Sequence, residues 1–375
     1  MKVKAAVLRQ VGQPAPYAVS QPLAIETVEL APPGTGELCV RVLAAGLCHS
    51  DLSVINGSRP RTMPIVLGHE ATGEIVELGA EVQGFRVGDR VVFCFVPNCG
   101  RCGPCASGRA SLCEPGALAN AAGTLLGGGR RWLDAQGVTM QHHLGVSGFA
   151  EYTVVSAHSA VRIDHDLAPE IAALFGCAVM TGVGAVVNTA KVSAGESVAV
   201  FGLGGVGLAA LLGARAAGAN PIIAVDVAAH KFALARELGA SHCVDARDAD
   251  ATDSVRELSH GGVQYAIESV GSEQVLAQAY AATRRGGTTV TVGLPAPNRM
   301  LTVPAFHLVV EEHTIKGSFM GSSVPSRDVP RFIALYRAGL LPVDRLLTHR
   351  LRLDEMNIGF DRLDRAEAIR QVVLF

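Results

Sequence analysis

The ten residues Val198-Ala-Val-Phe-Gly-Leu-Gly-Gly-Val-Gly207 decide the fold of the second half of the chain. A short apolar strand runs directly into the pattern Gly202-x-Gly204-x-x-Gly207, and a helical stretch follows. The first glycine permits a tight turn, the second lets a pyrophosphate approach the backbone, and the third lets the helix pack closely on the strand. The first N–H groups of the helix then face the anion. The stretch predicts a dinucleotide site that includes Gly205; a glycine-rich turn without a ligand is the alternative.

Asp226 closes the next apolar strand, 19 residues after Gly207. A carboxylate at this place accepts hydrogen bonds from the ribose diol and repels a 2′-phosphate, so NAD is expected rather than NADP. Lys231 follows closely and is expected on the adenosine side, unless it belongs only to a solvated helix start.

Strand-like and helical stretches alternate around this site. The predicted strands are 197–201, 222–225, 264–267 and 288–292, and the predicted helices are 206–217, 229–238 and 273–283. Such alternation is typical of βαβ units, which build a doubly wound parallel sheet. Before residue 155, short strand-like runs between glycine and proline clusters predict antiparallel strands. The chain is therefore predicted to be an α/β protein with a β-rich first part.

The composition excludes several classes of protein. Lys plus Arg (32) nearly balance Asp plus Glu (34) in the 375 residues, so neither nucleic acid nor an acidic membrane is expected as a partner. Apolar residues make up 49%, which excludes bulk disorder. The 9 cysteines are too few for a disulfide-dense secreted module and the first residues lack an apolar signal segment, so a cytoplasmic location is expected. The uncharged stretch 171–190 has the length of a membrane span, but is interpreted as a core helix with a break between domains.

Four cysteines are clustered in one glycine-rich segment, namely Cys99, Cys102, Cys105 and Cys113. Four thiolates satisfy the tetrahedral preference of Zn²⁺, and the intervening turn residues let a short loop wrap around the ion. Such a site is structural because it leaves no open position for a substrate. The competing interpretations are a disulfide pair and a zinc ribbon that binds nucleic acid.

Three further zinc-binding residue types are dispersed along the chain: Cys48, His69 and Cys177. Two thiolates and one imidazole are a known open zinc site, whose fourth position can take water or an alcohol oxygen. Buried cysteines are also common as inert apolar residues, which is the alternative at this point.

Taken together, these features resemble the zinc-dependent medium-chain alcohol dehydrogenases over essentially the full length of the chain. The motifs that carry the resemblance occur in the order of that family: Cys48-His-Ser-Asp51, Leu67-Gly-His-Glu70, the four-cysteine segment, Gly176-Cys177, the glycine pattern with Asp226, and Ile369-Arg370. The resemblance implies a GroES-like catalytic domain formed by residues 1–178 and 322–375, with a structural zinc lobe at about 97–115. It also implies a Rossmann NAD-binding domain formed by residues 179–321.

The resemblance further implies roles for individual residues. The ligands of a catalytic zinc ion are expected to be Cys48, His69 and Cys177. Asp51 is expected to hold the His69 ring, Glu70 to lie close to the site, and Ser50 to accept the alcohol proton. The expected cofactor contacts are Thr181 and Val206 for the nicotinamide, and His49 and Arg370 for the pyrophosphate. The expected walls of the substrate pocket are Phe95, Leu118, Leu144 and Leu294.

Two positions depart from the family pattern. Many members extend the proton relay with a histidine five positions after the first zinc-ligand cysteine, where this chain has Ser53. Some relatives carry an arginine where this chain has His49, and a histidine that is neutral near pH 7 is expected to bind the pyrophosphate less tightly.

The expected activity is the NAD-dependent interconversion of primary alcohols and aldehydes, with medium-chain, aryl or allylic substrates and two zinc ions per chain. Arg59 and Arg61 lie on a loop that is expected near the pocket entrance, which leaves a substrate with an ω-carboxylate open. A homodimer or homotetramer is expected through the sheet edge at residues 300–316.

Three alternatives differ in testable features. A thiol-adduct-dependent formaldehyde dehydrogenase is the close rival, but Asn56-Gly57-Ser58 lacks the acidic residues that such enzymes use to grip glutathione. A non-catalytic protein that binds zinc and NAD needs no vacant metal position. The zinc-free quinone reductases of the same superfamily lack the ligands.

Overall fold

The chain folds into two units, and neither is continuous in sequence. The computed structural model describes residues 1–375. The first unit comprises Met1–Cys177, Val324–Pro330 and Leu347–Phe375, and the second comprises Ala178–Ser323 and Arg331–Leu346.

The second unit contains a six-stranded sheet in which all neighbouring strands are parallel. The order across the sheet is His242–Asp245, Ile222–Asp226, Val198–Phe201, Val263–Glu268, Thr283–Thr291 and Thr314–Gly317. The strand order reverses beside Val198–Phe201, and such a switch point is where doubly wound sheets bind ligands. The predicted Rossmann fold is therefore confirmed.

Helices link these strands and cover the sheet. Their bounds are Ala178–Gly184, Gly205–Ala216, Phe232–Glu237, Ala251–Leu258, Glu273–Ala282 and Ala305–Val310. Ala185–Ala190 continues as a π-helix, and short 3-10 turns lie at Ala229–Lys231, Phe319–Ser322 and Val343–Leu346. Side chains from the inner strands, such as Ala199, Ile223 and Ala266, form the core.

The first unit is built from two sheets that are mainly antiparallel, as predicted. One has the strand order Ala160–Ile163, Arg90–Phe93, Glu70–Leu78, Glu37–Gly46, Arg370–Leu374 and Leu347–Leu351, with Tyr152–Ser156 also paired to Glu37–Gly46. The other is a closed barrel of Lys2–Leu8, Leu23–Leu30, Trp132–Leu133, Thr139–His142 and Ile65–Val66. Two pairs of strands in this unit are parallel. They are Leu347–Leu351 with Arg370–Leu374, and Ile65–Val66 with Thr139–His142.

The first unit also contains short helices, and two of the expected metal ligands lie at strand ends. They are Tyr17–Ser20, His49–Ile55, Gly103–Ala106, Glu114–Ala122, Pro169–Leu174 and Met356–Asp364, with 3-10 turns at Ala110–Leu112, Ala157–Ser159 and Leu353–Glu355. Cys48 lies between the strand Glu37–Gly46 and the helix that follows it. His69 directly precedes the strand Glu70–Leu78.

The predicted assignment of the tail to the first domain needs one correction. The helix Pro325–Arg337 contributes its first residues to the first unit, but residues 331–346 belong to the second. The turn Val343–Leu346 packs on the helix Gly205–Ala216, and Arg345 forms an ion pair with Glu237. An amphipathic pattern shows that a helix is half-buried, but it does not show which core the apolar side covers.

None of the helices combines the length and the apolar character needed to cross a membrane. The uncharged stretch 171–190 is divided among three helical segments, Pro169–Leu174, Ala178–Gly184 and Ala185–Ala190, and the boundary between the two units falls between the first two.

Candidate active site and metal centres

The structure brings together three dispersed residues of the first unit. The ligand atoms of Cys48, His69 and Cys177 all lie within 4.8 Å of one another, and all three side chains are buried. A zinc ion bound at ligand distances of about 2.0 to 2.3 Å requires this spacing. The donor set therefore fits an open zinc site, because three protein ligands leave one tetrahedral position free.

The electrostatics of this cluster favour a metal ligand. A hydrogen bond from the Cys177 thiol holds the pKa of Cys48 well below its usual range, against the opposing effect of burial, and the charge of His69 acts in the same direction. The thiolate is the form of cysteine that binds zinc.

Asp51 holds the imidazole of His69 from behind. Its Oδ1 atom lies 3.1 Å from Nδ1 of His69 and accepts a hydrogen bond of 3.1 Å from the Gly68 N–H. Burial would raise the pKa of Asp51, but the neighbouring histidines lower it well below its usual range. A carboxylate in this place fixes the ring so that Nε2 is left for the metal.

His143 is a member of this group that sequence reasoning missed. Its Nε2 atom lies 3.3 Å from the same Asp51 oxygen, and its ring meets the His69 ring edge-on. It is buried, and burial lowers its pKa, so the neutral ring is favoured. The only signal in the sequence is the pair His142-His143, which is 74 residues away from His69 and has no ligand spacing.

Glu70 and Arg370 form a buried ion pair beside the same cluster. Burial raises the pKa of Glu70 to about 7, although Arg370 acts in the opposite direction. The charges of Glu70, Cys48 and Cys177 raise the pKa of Arg370 despite its burial. The pyrophosphate contact expected of Arg370 stays a prediction.

The helix His49–Ile55 carries the residues expected to move protons. His49 is exposed and Ser50 is half-buried in its first turn. Ser53 donates a hydrogen bond of 2.7 Å to the carbonyl of His49 and accepts one of 2.9 Å from Nη2 of Arg59. The position where many relatives have a relay histidine is thus occupied by a hydroxyl group bound to a guanidinium.

The four clustered cysteines form the second metal centre. The sulfur atoms of Cys99, Cys102, Cys105 and Cys113 all lie within 4.8 Å of one another. Sγ of Cys102 and Sγ of Cys113 are 4.0 Å apart, which matches the edge of about 3.8 Å in a tetrathiolate zinc site and is far too long for a disulfide of about 2.05 Å. Backbone N–H groups of Arg101 and Cys102 lower the pKa of Cys99 to about 6. The lobe therefore fits a closed structural zinc site.

The glycine-rich turn of the second unit has the shape of a pyrophosphate cradle. Gly202 has φ of +93°, and a Cβ atom on Gly207 would lie 1.8 Å from the Gly202 carbonyl oxygen. A Cβ atom on Gly204 would meet nothing within 4 Å, and no side chain caps the helix that starts at Gly205. The free N–H groups and the open space above them fit a bound anion.

Asp226 lies at the end of the neighbouring strand. It accepts hydrogen bonds from the N–H groups of Leu203 (2.5 Å) and Ala228 (2.7 Å), and Nζ of Lys231 lies 3.8 Å away. Thr181 is buried, and Val206 is half-buried in the glycine-rich turn. The backbone carbonyl of Val206 would lie 2.2 Å from a Cβ atom on Gly182, so these two helices pack closely.

The expected substrate walls are placed differently from one another. The ring of Phe95 meets the ring of His69 edge-on at 5.5 Å, and Leu144 lines a small cavity that His143 also lines. In contrast, Leu118 is 72% exposed and Leu294 is 53% exposed. Of the four expected walls, Phe95 is thus placed against a candidate metal ligand.

Family models match both parts of the chain. Residues 34–165 match the alcohol dehydrogenase GroES-like domain, and residues 205–338 match the zinc-binding dehydrogenase domain.

Solved structures match the whole chain. An alcohol dehydrogenase zinc-binding domain protein from Burkholderia ambifaria is 34% identical to this chain, with a TM-score of 0.94. Benzyl alcohol dehydrogenase from Acinetobacter calcoaceticus is 30% identical, with a TM-score of 0.91. Both matches cover 100% of this chain and 99% of the other. A Sinorhizobium meliloti protein provisionally described as a zinc-binding dehydrogenase, bound to NADP, is 28% identical with a TM-score of 0.80 and full coverage of both chains. The chain belongs to the zinc-binding alcohol dehydrogenase family of medium-chain dehydrogenases/reductases.

Proposed function

We propose that this protein is a zinc-dependent, NAD-linked alcohol dehydrogenase that interconverts primary alcohols and aldehydes. The observation that carries the proposal is the convergence of Cys48, His69 and Cys177, with their ligand atoms within 4.8 Å of one another. Three protein ligands with one open position are typical of catalytic rather than structural zinc. The same chain also carries a glycine-rich turn fitted to a dinucleotide.

The roles proposed for the residues follow from this arrangement. When bound, zinc lowers the pKa of an alcohol oxygen and NAD⁺ accepts the hydride. Cys48, His69 and Cys177 hold the metal, and Asp51 fixes the imidazole of His69. The hydroxyl group of Ser50 takes up the alcohol proton and passes it on. Arg370, held by Glu70, places a positive charge near the thiolates.

The preference for NAD over NADP is proposed from Asp226. Its carboxylate lies at the end of the strand that follows the glycine-rich turn and would repel a 2′-phosphate. Lys231 lies 3.8 Å from that carboxylate and partly offsets its charge. One similar protein is bound to NADP, and titration of this protein with both nucleotides measures the preference.

An aryl, allylic or medium-chain substrate is proposed from two observations. The similar enzyme of Acinetobacter calcoaceticus is a benzyl alcohol dehydrogenase. Phe95 presents an aromatic ring directly beside His69, and an apolar wall of this kind favours such alcohols over polyols.

We also propose two zinc ions per chain, a cytoplasmic location and a homo-oligomer. All nine cysteines are free, and two groups of them fit metals that require thiolates, so a reducing compartment suits the protein.

The homo-oligomer is proposed from an exposed sheet edge. The edge strand Thr314–Gly317 of the second unit has one unpaired side in the chain. Nearby Met300, Phe306 and Val309 are exposed apolar residues, and such an edge favours pairing with a second copy.

The proposal is tested by following NADH formation with purified zinc-loaded protein. Benzyl, cinnamyl and hexyl alcohols should reduce NAD⁺, whereas sorbitol should not. Ser50→Ala should lower kcat at least a hundredfold, and the exposed Ser58→Ala is the matched control.

An absence of NAD⁺ reduction with every alcohol contradicts the proposal. A strict requirement for glutathione with formaldehyde indicates the thiol-adduct-dependent enzyme instead, and one zinc per chain without turnover indicates a binding protein.

A further inference from the structure

Arg59 and Arg61 are half-buried arginines two positions apart in one loop, and neither has a carboxylate partner. Many other arginines of the chain form ion pairs, including Arg9 with Glu26, Arg131 with Glu37 and Arg350 with Glu170. No Asp or Glu oxygen lies within 4.0 Å of the guanidinium of Arg59 or Arg61. Both side chains are half-buried, so they are not simply solvated.

Arg59 is held against the helix that carries Ser50. Its Nη2 atom donates a hydrogen bond of 2.9 Å to Oγ of Ser53, and its backbone N–H donates one of 2.8 Å to the carbonyl of Ser53. Ser50 and Ser53 are three residues apart on one helix, and residues with this spacing are neighbours on one face. The guanidinium of Arg59 is therefore about one helical turn from the proposed proton acceptor.

Arg61 is connected through Asn120 to Phe95, an expected wall of the substrate pocket. Its Nη1 atom lies 3.4 Å from the backbone carbonyl of Asn120, and the side-chain amide of Asn120 donates a hydrogen bond of 2.7 Å to the carbonyl of Phe95. Phe95 in turn contacts His69. Arg61 also lines the same small cavity as His143 and Leu144.

The two positive charges act on each other. Burial lowers the pKa of Arg61, and the nearby charge of Arg59 lowers it further. Two half-buried cations without an anion create a positive potential at this place. A carboxylate would relieve both charges, and guanidinium groups bind carboxylates through paired, charge-assisted hydrogen bonds.

We infer that Arg59 and Arg61 form an anion-binding subsite that selects alcohols with a carboxylate at the end opposite the reacting hydroxyl group. The inference rests on the proposed function, because it names the substrate class of that same site. It assigns to Arg59 and Arg61 the recognition of the substrate and no part in the transfer of hydride.

The test compares two probes of similar shape that differ in charge: 4-(hydroxymethyl)benzoate and 4-(hydroxymethyl)benzamide. Their binding to the zinc-loaded full-length protein is measured by calorimetry, which does not depend on turnover. The wild-type protein should bind the carboxylate at least tenfold more tightly than the amide. In the double variant Arg59→Gln/Arg61→Gln this ratio should fall close to one, whereas Arg61→Lys should retain part of it. The double variant Arg41→Gln/Arg365→Gln removes two positive charges from exposed residues outside the subsite and is the matched control.

Equal affinity for the two probes in the wild-type protein overturns the inference, as does a ratio that survives in the double variant. Inorganic phosphate that displaces the carboxylate probe with equal affinity also overturns it, because the subsite would then take free anions. The proposed function can fail separately: a carboxylate preference in binding without any NAD⁺ reduction contradicts the dehydrogenase and leaves the subsite. Oxidation of both alcohols without a preference contradicts the subsite alone.

Discussion

Nε2 of His143 lies 3.3 Å from Oδ1 of Asp51. The same oxygen lies 3.1 Å from Nδ1 of His69, so one carboxylate oxygen aligns a candidate metal ligand and is itself held by a second ring. Groups that orient a metal ligand commonly change metal affinity by 10- to 100-fold. The position of His143 therefore predicts an effect on zinc retention.

Replacement of His143 by Phe should accelerate zinc loss to a chelator by about tenfold or more. The aromatic ring keeps most of the volume but removes the contact with Asp51, so the His69 ring loses part of its support. His143→Gln keeps a donor and should have a smaller effect. Zinc release is measured with a chromogenic chelator, and the spectrum of the Co²⁺-substituted protein reports the ligand geometry. Unchanged release and an unchanged spectrum would show that His143 only fills space.

Replacement of Asp226 by Asn should weaken NAD⁺ binding by about tenfold, since a hydrogen bond to a charged group is worth about 1.5 to 3 kcal/mol. NADP⁺ binding should improve because the repulsive charge is lost. Fluorescence titration of both nucleotides gives the two dissociation constants. Asp245→Asn is the matched control, because Asp245 is the register partner of Asp226 on the adjacent strand and is paired with Arg247. A constant NAD⁺/NADP⁺ ratio would refute the role of Asp226.

Replacement of Cys105 by Ser should lower the zinc content from two ions per chain to one and reduce the melting temperature. A structural zinc site contributes its binding energy to folding, so the loss of one thiolate ligand is expected to cost several kcal/mol. Metal analysis and calorimetry measure the two effects. Cys243→Ser lies outside both cysteine clusters and should retain two zinc ions. Two ions in the Cys105 variant would argue against a tetrathiolate site.

His142 predicts a loss of stability in acid. Burial and the charges of Arg131 and Arg130 lower its pKa to about 3, and its Nε2 atom accepts a hydrogen bond of 3.1 Å from the Arg131 N–H. The pKa of an unfolded histidine is about 6.5, so below that pH the unfolded chain binds a proton that the folded chain does not. Stability should therefore fall between about pH 6.5 and pH 3, by up to 1.4 kcal/mol per pH unit from this group.

The measurement is chemical denaturation at pH 7 and pH 5. His142→Gln should lose less stability between the two values than the wild-type protein, even if it is less stable at pH 7. The exposed His165→Gln serves as the control. Equal losses in the wild-type protein and the His142 variant would contradict the prediction.

The exposed edge of the second unit predicts a change in oligomeric state. The double variant Phe306→Lys/Val309→Lys places two charges among the exposed apolar residues near the strand Thr314–Gly317 and should shift the protein toward the monomer. Sedimentation velocity measures the shift. Leu340→Lys is the control, since Leu340 is an exposed apolar residue elsewhere in the same unit. An unchanged oligomer in the double variant would place the interface elsewhere.

Local patterns predicted four of the six strands of the parallel sheet and missed the two outer strands, His242–Asp245 and Thr314–Gly317. The predicted strand 222–225 corresponds to Ile222–Asp226, and the predicted helix 206–217 corresponds to Gly205–Ala216. Strand and helix periodicities are properties of neighbouring residues and can be read without knowledge of the fold. The assignment of residues 331–346 was wrong for the opposite reason, because the same apolar face can cover either of two cores.

By itself, the sequence determined the features whose parts are close together along the chain: the glycine-rich turn between strand and helix, the alternation that builds the sheet, and the four cysteines within residues 99–113. A resemblance to a family extended this to the dispersed ligands Cys48, His69 and Cys177. Only the tertiary structure decided that His143 contacts Asp51. It also decided that Arg59 lies against Ser53 and Arg61 against Asn120, with no carboxylate beside either guanidinium. These relationships join residues from separate elements, and the distance between two such side chains depends on how the strands and loops pack, for which spacing along the chain contains no signal.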